Sequence, residues 1–392
     1  MGPLHSLKIL DFTTLLPGPF GTLLLADMGA DVLRVEAPHR GDTIREATPR
    51  DEYSSAAHSY LNRNKRSIGL NLKVPAAVEL VKELVAEYDI VVEQFRPGVM
   101  GRLGIGYDAL KAVNRHVIFC SITGYGQTGP YRDRAGHDNN YLALSGLASY
   151  TGSEGSGPVP AGLQIADVAG GSLHAALGIL AAVVHRDKTG EGQSIDISMT
   201  DAAFTLNTLN EAGYLVGGEV PSFDGNALTG GGYYGYYETS DGRWMSVGSI
   251  EPHFLQALCN ALDIDMPALK GFGLDLAVEQ GFRSVLEAKF KSMTFSECTE
   301  LFADIDACVE PVLDLEEASQ QPLFGERDMI VDVPTPDGGR QQQMGAAIKF
   351  SATSPEYRHI GRALGADTEA VLREFGKSNT EIARLADEGC FS

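Results

Sequence analysis

Cysteine is scarce in this chain: five in 392 residues, at Cys120, Cys259, Cys298, Cys308 and Cys390. They are odd in number, scattered and never in C-x-x-C spacing, which argues against both a disulfide framework and a zinc site. A reducing, cytoplasmic setting is the expectation. Positive charge is short as well. There are 31 Lys and Arg against 52 Asp and Glu, a net charge of −21, and a field of that sign repels nucleic acid. A small phosphorylated ligand stays admissible, because it responds to the local field of its pocket. No uninterrupted apolar run approaches the ~18 residues of a membrane span, so no membrane partner is expected. The first ten residues lack the charged start and apolar block of a signal peptide. The final Gly389-Cys390-Phe391-Ser392 is no peroxisomal tripeptide signal. Internal repeats and low-complexity blocks are missing too.

What is present is ordinary globular composition, 43% hydrophobic and 21% charged, in a chain long enough for more than one domain. Residues 7–12 read as a buried strand, Pro17-Gly18-Pro19 as a break, 20–28 as a helix stopped by Gly29, and 31–36 as a second strand. This β-α-β unit builds a doubly wound parallel sheet, so an α/β fold is expected. The G-x-G-x-x-G turn of dinucleotide binding is missing, which makes a nicotinamide dehydrogenase the weakest reading. Farther on comes the basic cluster Asn62-Arg63-Asn64-Lys65-Arg66. Pro75 opens a helix over 76–88, and the strand at 89–95 runs into Arg96-Pro97-Gly98 and a short helix with Arg102. Most charge runs are solvated faces. In an acidic chain, though, cations at successive strand ends would collect where open α/β sheets bind ligands, with phosphate as a natural guest.

Composition shifts at Gly217-Gly218 toward glycine and tyrosine. The expected division is a large α/β domain over 1–216, a small α+β domain over 217–318 and a return to the large domain over 319–392. The small domain would open with a hairpin around Asp241-Gly242, and residues 307–312 would lead back toward the large one.

Two stretches can carry chemistry. A strand at 117–120 and a glycine-rich turn at 123–130 lead into Ala135-Gly136-His137-Asp138-Asn139-Asn140-Tyr141. Histidine is the side chain whose ordinary pKa lies nearest neutrality. Unpaired N–H groups at a helix start can stabilise developing negative charge. The plain alternative is a helix cap beside a solvated histidine. The second stretch, Gln164-Ile165-Ala166-Asp167-Val168-Ala169-Gly170-Gly171, opens a long apolar helix over about 172–185. Asp167 there is either a cap or a buried acid or nucleophile. Glu251, just before Pro252, reads by itself as a surface carboxylate.

Together these motifs resemble the family III CoA-transferase superfamily over almost the whole chain. Pro17-Gly18-Pro19-Phe20, Ala26-Asp27-Met28-Gly29-Ala30-Asp31-Val32, Asn64-Lys65-Arg66-Ser67, Arg96-Pro97-Gly98-Val99 and Gly124-Tyr125-Gly126-Gln127-Thr128-Gly129-Pro130 carry that likeness. Four further marks resemble the α-methylacyl-CoA racemase family within it: Gly136-His137-Asp138-Asn139-Asn140-Tyr141-Leu142-Ala143-Leu144-Ser145-Gly146, Ala166-Asp167-Val168-Ala169-Gly170-Gly171, Ile250-Glu251-Pro252 and Asp306-Ala307-Cys308-Val309. The chain departs from the family pattern at Asn140, usually apolar, and at Val168, usually Phe. Ala37 replaces an arginine near the CoA nucleotide, with Arg40 close by as a substitute.

The resemblance implies a Rossmann-like large domain built from both chain ends, a small domain from the middle, and an interlocked homodimer. It implies interconversion of (R)- and (S)-2-methylacyl-CoA thioesters through an enolate. His137 would serve the S face and Asp167 the R face, with Glu251 holding the other imidazole nitrogen. Asp138 and Tyr141 would position rather than transfer protons. CoA would lie against Leu70, Lys73, Gln94, Phe95, Arg96 and Arg102, with Gly136 and Tyr141 also among the residues that bind the thioester. No cofactor and no metal are implied, since CoA is part of the substrate. The chemistry asks for such a set. An α-proton is far less acidic than any side-chain acid, so the enolate oxygen must be stabilised as charge develops. One preorganised donor is worth ~3–4 kcal/mol, and the N–H groups at the helix start near Asp138 are suitable. Two rivals stand beside this reading. A CoA-transferase would use Asp167 as a nucleophile, forming a mixed anhydride, and has no use for a His137–Glu251 pair. A CoA-ester-binding protein would keep the fold without the chemistry.

Overall fold

The computed structural model describes residues 2–392, in two compact units. The first takes the chain up to Ser145, then Gly162–Leu206 and Pro322–Ser392. Its centre is a sheet of six parallel strands: β1 (Lys8–Phe12), β2 (Asp31–Glu36), β3 (Lys65–Gly69), β4 (Ile90–Glu93), β5 (Ile118–Thr123) and β6 (Ser194–Ser198). Their order is β3-β2-β1-β4-β5-β6, a doubly wound α/β sheet. Register sets Leu10 beside Leu33 and Val91, and Val91 beside Phe119, all four buried. Consecutive apolar residues such as Ile90, Val91 and Val92 are what a parallel sheet covered on both faces requires. Leu80, Val81 and Leu84 of helix Pro75–Leu84 join this core, as do Val371 and Leu372 of helix Thr368–Glu374. Both chain ends therefore build the unit.

Helix Pro17–Asp27 packs against a continuous helical stretch, Ala166–Thr189. The Pro17-Gly18-Pro19 break is in fact the first turn of that helix, where proline's missing N–H leaves no bond unmade. The Ala166–Thr189 stretch is 24 residues long, and its most apolar 18-residue window has a mean hydropathy of 1.6, long and apolar enough to cross a membrane. Here Ala175, Ile179 and Ala182 are buried, and the helix lies along β5 and β6. Uninterrupted apolar runs did not reveal it, because small and polar residues punctuate it.

The basic cluster at 62–66 is largely taken up inside the protein, not held out for a ligand. Arg63 donates from Nε and Nη2 to the two carboxylate oxygens of Asp27 at 2.9 and 2.6 Å. The Lys65 ammonium is buried and donates to Asp11 (3.2 Å), the Pro19 carbonyl and Thr22 (2.8 Å each). Arg66 pairs with Asp31 and Glu374.

The second unit comprises Gly146–Ala161 and Asn207–Gln321. The division thus falls before Gly217. Helix Thr208–Gly217 goes with the second unit although Leu209, Leu215 and Val216 give it the look of a core helix; all three are exposed. The hairpin pairs Gly235–Glu238 with Trp244–Val247 around Gly242 (φ 81°). Val309–Pro311, expected to lead back to the first unit, is instead the third strand of this antiparallel sheet. Tyr233, Tyr237, Leu258, Phe282, Phe290 and Phe302 fill its core.

Arg63→Met leaves the buried Asp27 carboxylate without its cation and is expected to remove about 3–5 kcal/mol of stability. Lys82→Met, which breaks an exposed pair with Glu79, is expected to remove at most about 1 kcal/mol. Urea unfolding of both variants at neutral pH checks the contrast.

Candidate active site

In an open α/β sheet the crevice forms at the carboxyl ends of the strands, where strand order reverses. Here that point lies between β1 and β4, and a cavity of about 400 Å³ opens at it. Leu15, in the loop after β1, and Pro17, at the start of helix Pro17–Asp27, line it; Gln94, Phe95, Arg96 and Pro97 do so from the loop after β4, and Thr123 and Gly124 from the end of β5. Gly136, His137, Asn140, Tyr141 and Asp167 complete the wall. The two chemical stretches of the sequence thus meet in one cavity.

His137 immediately precedes helix Asp138–Leu144, in an extended conformation (φ −131°) and exposed. Its N–H donates to the Asn140 side-chain oxygen at 3.0 Å, and its carbonyl accepts from the Asn140 N–H at 2.8 Å. Asn140, a departure from the family pattern, therefore fixes the entry to the helix. Those bonds also narrow the choice of anion-stabilising donors near Asp138 to the N–H groups of Asp138 and Asn139, first-turn positions with no helical acceptor.

Tyr141 is clasped between two glycines. A Cβ at Gly124 would come within 2.6 Å of Tyr141 Cε1, and one at Gly136 would lie 2.7 Å from both Tyr141 Cε1 and Tyr125 Oη. Neither position has room for a side chain. The Tyr141 hydroxyl donates to the Gly136 carbonyl, and Tyr125 packs edge-on at 5.3 Å.

Asp138 is buried and does not line the cavity. Its Oδ1 accepts from the N–H groups of Ala166 (2.7 Å) and Asp167 (3.1 Å). Asp167 sits in the first turn of a π-helical segment, Ala166–Leu173. Burial, then the negative charge of Asp138, push its carboxyl up from 3.8 to about 6, while His137 pulls the other way. Proton transfer near neutral pH needs such a poised group.

The remaining expected residues divide. Gln94 and Phe95 line the cavity, and Gln94 accepts from the Gly18 N–H at 3.0 Å. Arg96 lines it too, exposed, donating to the Asp133 carbonyl at 2.9 Å. Arg102 lies outside the lining, yet its Nη1 is 3.2 Å from where a Gly98 Cβ would stand, with Arg132 Nη2 at 3.8 Å from the same point. Arg132 and Arg134 both line the cavity and were missed in the sequence, where Tyr131-Arg132-Asp133-Arg134 directly upstream of Gly136 was the available signal. Thr123 was missed as well: its hydroxyl is buried, at the cavity, and without a hydrogen-bond partner among the described residues. Lys73 is exposed before helix Pro75–Leu84 and does not line the cavity. Leu70 does not line the cavity either. It is 1% exposed and packs in the core under the sheet's helices, whereas the sequence placed it against CoA. Arg40 is exposed and bridges back to Ala37 through the backbone. Glu251 belongs to the second unit, exposed at the start of helix Pro252–Leu262, and its side chain makes no capping bond there.

Because the folded state holds the Asp167 proton more tightly than an unfolded chain does, its ionisation opposes folding. That cost is absent below 3.8, grows toward about 6 and is full above it. Asp167→Asn is therefore expected to raise the unfolding midpoint at about pH 8 and to change it little near pH 4, as thermal unfolding across pH would show.

The profile of CoA-transferase family III matches residues 4–368. Human succinyl-CoA:glutarate CoA-transferase is 33% identical, over 95% of this chain and 86% of its own length. Human alpha-methylacyl-CoA racemase is 34% identical, over 97% of this chain and 96% of its own. A CAIB/BAIF family protein from Brucella suis, known from its crystal structure, superposes with a TM-score of 0.83 at 30% identity, covering 95% of this chain and 99% of that one. Along nearly its whole length, in sequence and in fold, the chain belongs to CoA-transferase family III.

Proposed function

We propose that the protein interconverts (R)- and (S)-2-methylacyl-CoA thioesters. The observation that carries this reading is that His137 and Asp167 face one cavity, with Asp167 poised near pH 6. Inversion needs a base on one side of the α-carbon and an acid on the other. From the (R)-thioester, Asp167 takes the α-proton, the electron pair passes to the thioester oxygen as an enolate, and His137 returns a proton to the opposite face. The reverse direction exchanges the roles. The Asp138 N–H is the proposed enolate donor. Glu251 is the proposed partner of the other imidazole nitrogen, fixing its tautomer.

Arg96 and Arg102, joined by Arg132 and Arg134, are the proposed partners of the CoA phosphates, with Gln94 and Phe95 along the pantetheine arm. Arg96, Arg132 and Arg134 line one cavity, and Arg102 and Arg132 both approach Gly98; in a chain of net charge −21 such a cluster, with Arg132 also paired to Asp133 at 3.6 Å, suits phosphate. The working form is a cytoplasmic homodimer without further cofactors; exposed Leu177, Leu215 and Val216 supply apolar surface for a second copy to cover.

A second reading, transfer of CoA, is favoured by the equal likeness to the human transferase. There the Asp167 carboxylate attacks the thioester carbon, CoA leaves as thiolate and a mixed anhydride remains. Heavy water separates the two. Incubated with (S)-2-methylacyl-CoA and no acceptor acid, the protein is expected to exchange the α-hydrogen for deuterium with inversion, followed by NMR. His137→Ala is expected to slow this by about 10²–10⁴-fold. Absence of exchange, with acyl transfer on adding a free carboxylic acid, would establish the transferase instead. Arg96→Ala is expected to raise KM and leave kcat nearly unchanged in steady-state assays, as a contact made equally in ground and transition states requires.

A further inference from the structure

We propose that Asp138 is a positioning residue that acts through Asp167: its carboxylate pins the first turn that carries Asp167 and sets a second negative charge beside it. The residue following one acid/base thereby anchors the other, 29 positions along the chain. The geometry is specific. The first N–H groups of a helical segment have no acceptor within it. The residue before this one, Ile165, has no side chain that could cap it. One buried oxygen from another element, Asp138 Oδ1, takes two successive N–H groups, those of Ala166 and Asp167.

An amide oxygen could accept the same two N–H groups, though more weakly than a carboxylate. The negative charge has a second consequence. The groups that face Asp167 are Asp138, His137 and Tyr141, with Arg96 farther round the cavity. After burial, Asp138 is the largest influence holding the Asp167 proton on, opposed by His137. A stronger hold on the proton makes a stronger base toward a weakly acidic C–H. The cap fixes where Asp167 stands; the charge sets how well it pulls.

The effect on Asp167 is independent of the reaction; its catalytic consequence rests on the racemase reading. Asp138→Asn keeps the cap and removes the charge, whereas Asp138→Ala removes both. With ¹³C-carboxyl-labelled aspartate, and Asp167→Asn to assign the signal, Asp167 is expected to titrate at about 6 in the wild type and closer to the ordinary 3.8 in Asp138→Asn. With the (R)-thioester, kcat for α-exchange in Asp138→Asn is expected to fall about tenfold near pH 8, KM unchanged. The deficit should close toward about pH 5, where the wild-type carboxyl is largely protonated. Asp138→Ala should show the same titration change with a further loss of kcat at every pH. An Asp167 signal titrating at the same pH in Asp138→Asn as in the wild type would overturn the proposal, whatever the kinetics. A shifted titration in a protein that exchanges no α-hydrogen would uphold it and remove the racemase instead.

Discussion

Parallel strands cannot be joined by tight turns, so each must be followed by a crossover back to the start of the next. Where the winding of those crossovers reverses, between β1 and β4, neighbouring loops part and leave a crevice. The cavity follows from that constraint. Its walls are what happens to follow β1, β4 and β5, and so residues far apart in sequence, Pro17, Arg96, His137 and Asp167, become neighbours. The chain needs no special device to make a pocket. It needs chemistry at the ends of three strands.

Charge is distributed with the same economy. The acidic chain buries Lys65 and Arg63 against Asp11 and Asp27, fixing β3 and helix Pro17–Asp27 beneath the crevice. Breaking such pairs is costly because the surviving partner stays buried. Three exposed arginines, Arg96 after β4 and Arg132 and Arg134 just before His137, stand at the rim of the crevice. At its wall the sign inverts: the buried Asp138 carboxylate, behind the lining, holds the proton on Asp167, which faces the cavity. A cationic rim around an acidic interior suits a ligand with phosphates at one end and a C–H to be deprotonated at the other.

Much of this was legible in the sequence. The strands at 7–12, 31–36 and 89–95, the hairpin at Asp241-Gly242 and the two chemical stretches all announce themselves by local pattern, apolar runs closed by glycine or proline. The failures have a common cause: they depend on partners distant in sequence. Arg63 and Lys65 look like a solvated run until Asp27 and Asp11 are placed beside them. Leu70 cannot be told from a ligand contact until the core closes over it. Val309–Pro311 is too short to declare which sheet it joins, and helix Thr208–Gly217 is apolar on surfaces that the isolated chain leaves exposed. Arg132 and Arg134 sit on a stretch with no periodicity to attract notice.

The tyrosine clasped by Gly124 and Gly136 works as a spacer gauge. Gly124 at the end of β5 and Gly136 before His137 both abut the same ring edge, at Cε1, so the ring sets how closely those two segments approach. Its hydroxyl closes the loop end against the Gly136 carbonyl. His137 is thereby referenced to the sheet, the stiffest part of the unit, and not to the exposed loop in which it lies. On the racemase reading proposed above, a residue that must meet a carbon atom to within a fraction of an ångström draws its precision from a ring that takes no part in the proton's path.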